Sequence, residues 1–223
     1  RSFVGAGART VIASHWPVPD DYDATQRLVL GLFEGPPGTG KTQLAAEIAR
    51  RLGKELVYKT ASDINSMWFG QSEERVAEMF TQCDPTSEIL FLDEADTLLE
   101  SRETSVHRAN TAVTAEFLRR IEAFEGVFVC ATNHPRLLDA ALMRRFTFRL
   151  EFQPLTTRQR ERLLSEVALG WNPERGAIPP TLEPAVSARL GRLDLLTPGD
   201  FAAVLRQNRF MPLTSAAALV AGL

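Results

Sequence analysis

The chain has 223 residues, 44% hydrophobic and 24% charged, with a formal net charge of -3 and a pI near 5.7. That is ordinary globular composition, long enough to bury one large core or two small ones, and its mild acidity leaves no general footprint for nucleic acid or an anionic membrane surface. Apolar runs are far too short to span a bilayer, so no membrane span is expected, and two cysteines cannot build a disulfide framework.

In chain order, the opening "RSFVGAGART" lacks the long apolar core of a signal peptide, and a first residue of Arg is what a fragment or processed chain would show. "LVLGLF" (28–33) reads as a strand, followed by a Gly/Pro loop and a helix with Leu44, Ile48 and Leu52 on one face, ending at Gly53. "ELVYKTA" (55–61) reads as the next strand. "SMWFGQSE" (66–73) then sets Met67, Trp68 and Phe69 side by side before breaking at Gly70. A helix follows with Ser72 as N-cap, Glu73 and Glu74 in its first turn, and Val76, Met79 and Phe80 at helical spacing. Three large apolar residues at a turn either fold back into the core, with Ile64 at a suitable offset, or form an exposed patch that binds something.

"EILFLDEAD" (88–96) reads as a strand whose run Ile89–Leu92 is apolar on both faces, which requires cover on both sides, as in a parallel sheet. A helix carrying Val113, Phe117, Leu118, Ile121 and Phe124 leads to a further buried strand, "GVFVCATN" (126–133). "FTFRLEF" (146–152) alternates strictly, as a half-exposed strand nearer an edge does. After Gln153-Pro154 the pattern turns helical at 156–169, 182–193, 198–210 and in the tail "SAAALVAGL". The expectation is a doubly wound α/β domain over residues 28–153 and a small all-helical domain over 154–223, preceded by a segment 1–27. Cys83 and Cys130 lie in apolar surroundings and read as small core residues in a reducing compartment, which makes the cytoplasm the expected location.

Chemistry concentrates in two motifs. "GPPGTGKT" (35–42) satisfies G-x-x-x-x-G-K-[ST] between a strand and a helix. Backbone N–H groups of Gly35, Gly38, Thr39 and Gly40 would turn inward around a polyphosphate, Pro36 and Pro37 shaping the same turn, while the helix aims its positive end at the anion. Lys41 would reach the β and γ phosphates and the Thr42 hydroxyl would ligate Mg2+. "ILFLDE" (89–94) ends a buried strand with two carboxylates at the sheet edge where ligands bind. Asp93 is suited to hold hydrated Mg2+, and Glu94 to orient or deprotonate the attacking water. Solvation alone explains paired acids at many strand ends, but here they follow a phosphate loop. Together the motifs point to nucleotide hydrolysis with Mg2+, a non-hydrolysing nucleotide binder being the competing reading.

From about Leu32 to the C-terminus the chain resembles the AAA+ ATPases, nearest to bacterial members related to the membrane-protease and segregase clade. The resemblance implies a P-loop NTPase parallel sheet with helices on both faces (Walker A at 35–42, Walker B at 89–94) and a helical lid. It implies a sensor amide at Asn133 and arginine fingers at Arg144 or Arg145 in "LMRRF", reaching a neighbouring subunit's γ-phosphate; a solvated basic turn is the competing reading. "TPGDF" (197–201) falls where a lid backbone approaches the nucleoside, which makes Gly199 a candidate. Trp68, Phe69 and Gly70 match a turn that projects into the central pore of a hexameric ring and grips unfolded polypeptide. The chain departs from the family at Glu122-Ala123-Phe124, where relatives often carry Asp-Gly-Phe, and in lacking a spacer between the paired arginines. Residues 7–33 resemble the closing segment of CHAT domains, without their upstream catalytic His and Cys. Residues 24–33 are then claimed twice, as helix or strand, and the strand is preferred because the phosphate loop needs one. The implied function is ATP-driven remodelling or threading of a protein substrate by a homo-oligomeric ring. The competing functions are a nucleic-acid remodeller of clamp-loader or initiator type, and a nucleotide-dependent switch with little turnover.

Overall fold

The computed structural model describes residues 29–65, 71–99, 108–171, 180–208 and 215–223. Residues 1–27, with their CHAT-like tail, and the Trp68-Phe69-Gly70 turn lie outside the described residues. Five parallel strands form one sheet: β1 (Val29–Glu34), β2 (Glu55–Thr60), β3 (Glu88–Asp93), β4 (Val127–Thr132) and β5 (Phe148–Glu151). Their order is β2-β3-β4-β1-β5. β1 pairs with β4 from Val29↔Val127 to Glu34↔Thr132, and β3 with β4 from Ile89↔Val127 to Leu92↔Cys130. The C-terminal ends of β1, β3 and β4 therefore emerge side by side. The strand reading of residues 29–33 holds.

The helices are α1 (Lys41–Leu52), a short α2 (Ala61–Ile64), α3 (Gln71–Gln82), α4 (Arg108–Ala123) and a short α5 (Ala140–Met143). Strand periodicity of two splits the buried residues between two faces. Leu30, Leu32, Leu90, Leu92, Phe128 and Cys130 share a core with Val76, Met79 and Phe80 of α3 and with Phe117, Leu118 and Ile121 of α4. Phe80 anchors that side, its ring centroid 5.4 Å from Phe117, 5.5 Å from Phe124 and 5.6 Å from Phe128. The odd-numbered Phe33, Ile89, Phe91, Val129 and Ala131 are equally buried, and α1 packs against β2, β3 and β4. Both faces of the sheet are covered, as its uninterrupted apolar strands require.

Four details differ from the sequence expectation. α1 buries Leu44, Ala45 and Ala49, leaving Ile48 and Leu52 half-buried, because two alanines let the helix sit close to the sheet. α3 begins at Gln71, so Ser72 lies inside the first turn and is not the cap. β2 stops at Thr60, whose N–H and hydroxyl both donate to Asp63 Oδ2 at 2.7 and 2.8 Å, which starts α2. The strand expected over 88–96 also ends early, at Asp93.

By internal packing the described residues fall into two units, one of 29–35 with 41–152, the other of 36–40 with 153–223. The second unit is helical: α6 (Thr157–Leu169), α7 (Pro184–Gly191), α8 (Pro198–Asn208) and α9 (Ala216–Gly222). Thr156 and Gln159 form a reciprocal N-terminal cap on α6, and Gly170 closes it at φ 63°. Buried Arg160 ties α6 to α7, donating to Leu190 O at 3.1 Å and Thr157 Oγ1 at 3.0 Å. Phe201, Leu164, Leu190 and Val220 form the core of this unit. Among the described residues no helix is long and apolar enough to cross a membrane.

Both cysteines are free and buried. Burial, with Glu88 close by, pushes the Cys83 thiol up to about 12, and complete burial with Asp96 and Asp93 nearby raises Cys130 as well. A raised thiol pKa leaves less thiolate at any given pH, and the thiolate is the nucleophile. Near neutral pH, Ellman's reagent should therefore find no reactive thiol in the native chain and two after denaturation. Rapid native reaction of either would contradict this burial.

Candidate functional site

The loop after β1 must reverse the chain within a few residues and still present its amides. Gly35 takes φ 137° and donates its N–H to Thr132 O at 3.2 Å; a Cβ there would stand 2.1 Å from Phe152 O, so only glycine fits. Gly38 and Gly40 also take positive φ, at 74° and 98°. Thr39 Oγ1 donates to Pro36 O at 2.8 Å, closing the turn over Pro37. Within the helical unit, which includes 36–40, the Gly199 N–H donates to Gly38 O at 2.9 Å. A Cβ on Gly199 would lie 2.8 Å from Gly38 Cα. Two backbones meet there with no side chain between them.

Lys41 opens α1 and is buried. Its ammonium donates to Gly35 O at 2.7 Å and to Asn133 Oδ1 at 2.8 Å. Burial lowers the Lys41 pKa, and the Asp93 and Asp96 carboxylates oppose that shift. Thr42 Oγ1 donates to Asp93 Oδ2 at 3.1 Å. Lys41, Thr42, Asp93 and Asn133, expected from three separate stretches of sequence, thus cluster as two hydrogen-bonded pairs, Lys41–Asn133 and Thr42–Asp93, at the ends of β1, β3 and β4.

Glu94 follows Asp93 in the left-handed region, φ 55° and ψ 37°, the sole non-glycine with positive φ among the described residues. Its N–H donates to Asp93 Oδ1 at 2.9 Å, while its carbonyl accepts from Thr97 N–H at 3.1 Å and Thr97 Oγ1 at 2.9 Å. The turn continues as a 3-10 helix, Ala95–Thr97, which is why the strand ends at Asp93. The Glu94 side chain is exposed, free to meet a reactant.

Two residues that sequence reasoning passed over join this cluster. Asp96 is buried, and its Oδ1 accepts from Thr132 Oγ1 at 2.6 Å and from the Asn133 N–H at 3.3 Å, so the turn after β3 fixes the end of β4. Its signal lay in the quoted "DEAD", as a third acid where two had been assigned roles. Tyr58, on the edge strand β2, donates its phenol to Asp93 Oδ2 at 3.2 Å, and its ring stacks on Phe91 at 5.7 Å. Nothing in the motif pattern marks it.

The candidate arginines separate. Arg145 Nε donates to Glu122 Oε1 at 2.8 Å and its NH1 to Ala141 O at 2.7 Å, whereas Arg144 is exposed and makes no ion pair among the described residues. His134, beside Asn133, is exposed.

The donor set fits a magnesium-bound polyphosphate: one ammonium, positive-φ glycines around a helix start, and a hydroxyl already paired with a carboxylate. All are hard oxygen or nitrogen groups, and Mg2+ is commonly held by one or two carboxylates plus substrate phosphates. Among the described residues no cluster of three or more His, Cys, Asp or Glu could hold a metal alone.

The sequence matches the model of the ATPase family associated with various cellular activities (AAA) over residues 31–154. The Caenorhabditis elegans protein called mitochondrial sorting homolog is 33% identical over 144 residues, covering 61% of this chain and 42% of that protein. The outer mitochondrial transmembrane helix translocase of Xenopus tropicalis is 34% identical over 142 residues, 60% and 39% of the two chains; its Homo sapiens counterpart is 31% identical over 153 residues, 65% and 42%. The chain spans less than half the length of these curated relatives. A chain in the structure of the E. coli MS115-1 HORMA:CdnC:Trip13 complex superposes with TM-score 0.67 over 96% of this chain and 80% of that one, at 21% identity, which shows a shared fold.

Left-handed backbone strains any residue bearing a Cβ. Glu94→Gly should therefore stabilise the protein by about 1 kcal/mol, a rise of about 2–4 °C in the melting midpoint, while removing the side chain that the site presents. An unchanged or lowered midpoint would show that relief of strain at Glu94 does not exceed the backbone entropy that glycine adds to the unfolded chain.

Proposed function

This chain belongs to the ATPase family associated with various cellular activities (AAA), and from that membership we propose that it hydrolyses ATP to remodel or thread protein substrates as a subunit of a hexameric ring. The observation that carries the hydrolytic part is the cluster of Lys41, Thr42, Asp93 and Asn133, with Glu94 at its rim. In this reading residues 28–153 are the nucleotide-binding domain and 154–223 the lid, with the CHAT-like 1–27 an addition to the motor.

Lys41 exchanges Gly35 O and Asn133 Oδ1 for oxygens of the β and γ phosphates. The glycine-rich loop offers its amides to the same anion, with Gly199 backing Gly38. Thr42, through its hydroxyl, and Asp93, through its carboxylate, would hold the hydrated Mg2+ that accompanies the nucleotide. Bound Mg2+ supplies charge neutralisation on the phosphate oxygens. Glu94 accepts a proton from the attacking water or orients it. The Asn133 amide, released from Lys41, holds that water without titrating.

The protein-substrate part is supported by relatives named transmembrane helix translocases, which by that name act on a polypeptide, and by the sequence Trp68-Phe69-Gly70, which matches the segment that grips polypeptide in the family the chain resembles. Arg145 is engaged with Glu122, which favours Arg144 as the residue that reaches a neighbouring subunit.

Lys41→Ala should abolish nucleotide binding, whereas Glu94→Gln should bind ATP and not turn it over; parental hydrolysis by Glu94→Gln would remove Glu94 from the mechanism. Arg144→Ala should bind ATP normally and lose roughly 10³–10⁵ in rate. Mixing it with Lys41→Ala subunits should restore part of the activity at shared interfaces. Absence of complementation at every ratio, in a demonstrated oligomer, would count against action between subunits.

A further inference from the structure

Asp93 carries more hydrogen bonds than its expected role requires. Its Oδ2 accepts from two hydroxyls on two different elements: Thr42 of α1 at 3.1 Å and Tyr58 of β2 at 3.2 Å. Its Oδ1 accepts from the Glu94 N–H at 2.9 Å. The Thr42 contact and the Glu94 contact come with the two motifs. Tyr58 does not. It stands on the edge strand, two positions before Thr60, the register partner of Asp93.

Core packing does not explain the residue. Tyr58 is 47% exposed, and the ring beneath it, Phe91, is completely buried. A phenylalanine would cover Phe91 as well. What the hydroxyl adds is a second anchor on one carboxylate oxygen. A carboxylate turns readily about its last torsion, whose wells are broad. Two donors on Oδ2 and one on Oδ1 fix that torsion and leave a lone pair of Oδ1 for another donor, such as a metal-bound water. Hydrogen bonds of this supporting kind orient a ligand before the metal arrives.

We propose that Tyr58 is a positioning residue for magnesium: by pinning Asp93 Oδ2 together with Thr42, it presets the carboxylate that holds the metal accompanying the nucleotide. The proposal rests on the reading of Thr42 and Asp93 as the magnesium site. It predicts an effect on the coupling between metal and nucleotide, with none on the nucleotide alone, because Tyr58 touches nothing assigned to the phosphates.

The test uses the full chain and a fluorescent N-methylanthraniloyl-ADP, titrated in excess EDTA and in saturating MgCl2, with the Mg2+ concentration for half-maximal binding as a further readout. In the parent, Mg2+ should tighten binding. Tyr58→Phe should keep the EDTA affinity and the melting midpoint, and lose about three- to tenfold of the tightening by Mg2+, the loss expected for one hydrogen bond that immobilises a rotatable group. Half-maximal binding should need correspondingly more Mg2+. In the Asp93→Asn background the same substitution should have no further effect, since the oriented carboxylate is already gone. A parent insensitive to Mg2+ would overturn the magnesium-site reading itself. A responsive parent with Tyr58→Phe unchanged, or binding Mg2+ more strongly, would overturn the role of Tyr58 alone. Equal loss in EDTA and in MgCl2 would also overturn it, by assigning Tyr58 a general structural part.

Discussion

A buried ammonium is the constraint around which this site is organised. Lys41 sits at the start of a helix, against the ends of apolar strands, where an unpaired charge would be costly. Its acceptors come from far apart in the chain: Gly35 O closes the strand before it, and Asn133 Oδ1 follows β4. Both reach it because β1 lies directly beside β4. The sheet order therefore does more than complete a core; it delivers the groups that let a cation be held in place before any phosphate arrives.

Asp96 and Glu94 show how the next strand is tied to the same point. One buried carboxylate takes the Thr132 hydroxyl and the Asn133 N–H, so the amide that holds Lys41 is held from behind by the turn after β3. Glu94 is part of that turn and adopts backbone angles that only surrounding contacts sustain. The Asp93 side chain and both Thr97 hydrogen bonds supply those contacts. An exposed carboxylate is thereby aimed by backbone geometry, independent of any partner for its own side chain.

Much of this could be read in the sequence because it is local. "GPPGTGKT" states its loop and helix start in eight residues, and the apolar strand Ile89–Leu92 states its burial and its acidic end. The strand alternation of "FTFRLEF" foretold an edge, and β5 occupies one. What escaped was set across distance or by small local competition. Tyr58 meets Asp93 only because β2 pairs with β3 in one register. Arg145 meets Glu122 across 23 positions, and two adjacent arginines look alike until that pairing is known. Ser72 had the chemistry of a cap, but the helix starts a residue before it. Asp63 captured Thr60 and ended a strand that propensity alone would have extended.

The place of β1 has a consequence for synthesis. β1 is the first described strand, yet its neighbours among the described strands are β4 and β5, the last two. As the chain leaves a ribosome, residues 29–34 precede both of their described partner strands, and β4 is complete only once residues 127–132 have followed. β2 and β3 can join in the meantime, since they neighbour each other. At roughly 5–20 residues per second the delay lasts several seconds, during which an apolar strand with unpaired amides is exposed to other chains. The same adjacency that brings Asn133 to Lys41 in the folded protein leaves β1 waiting, during synthesis, for the strand that will lie beside it.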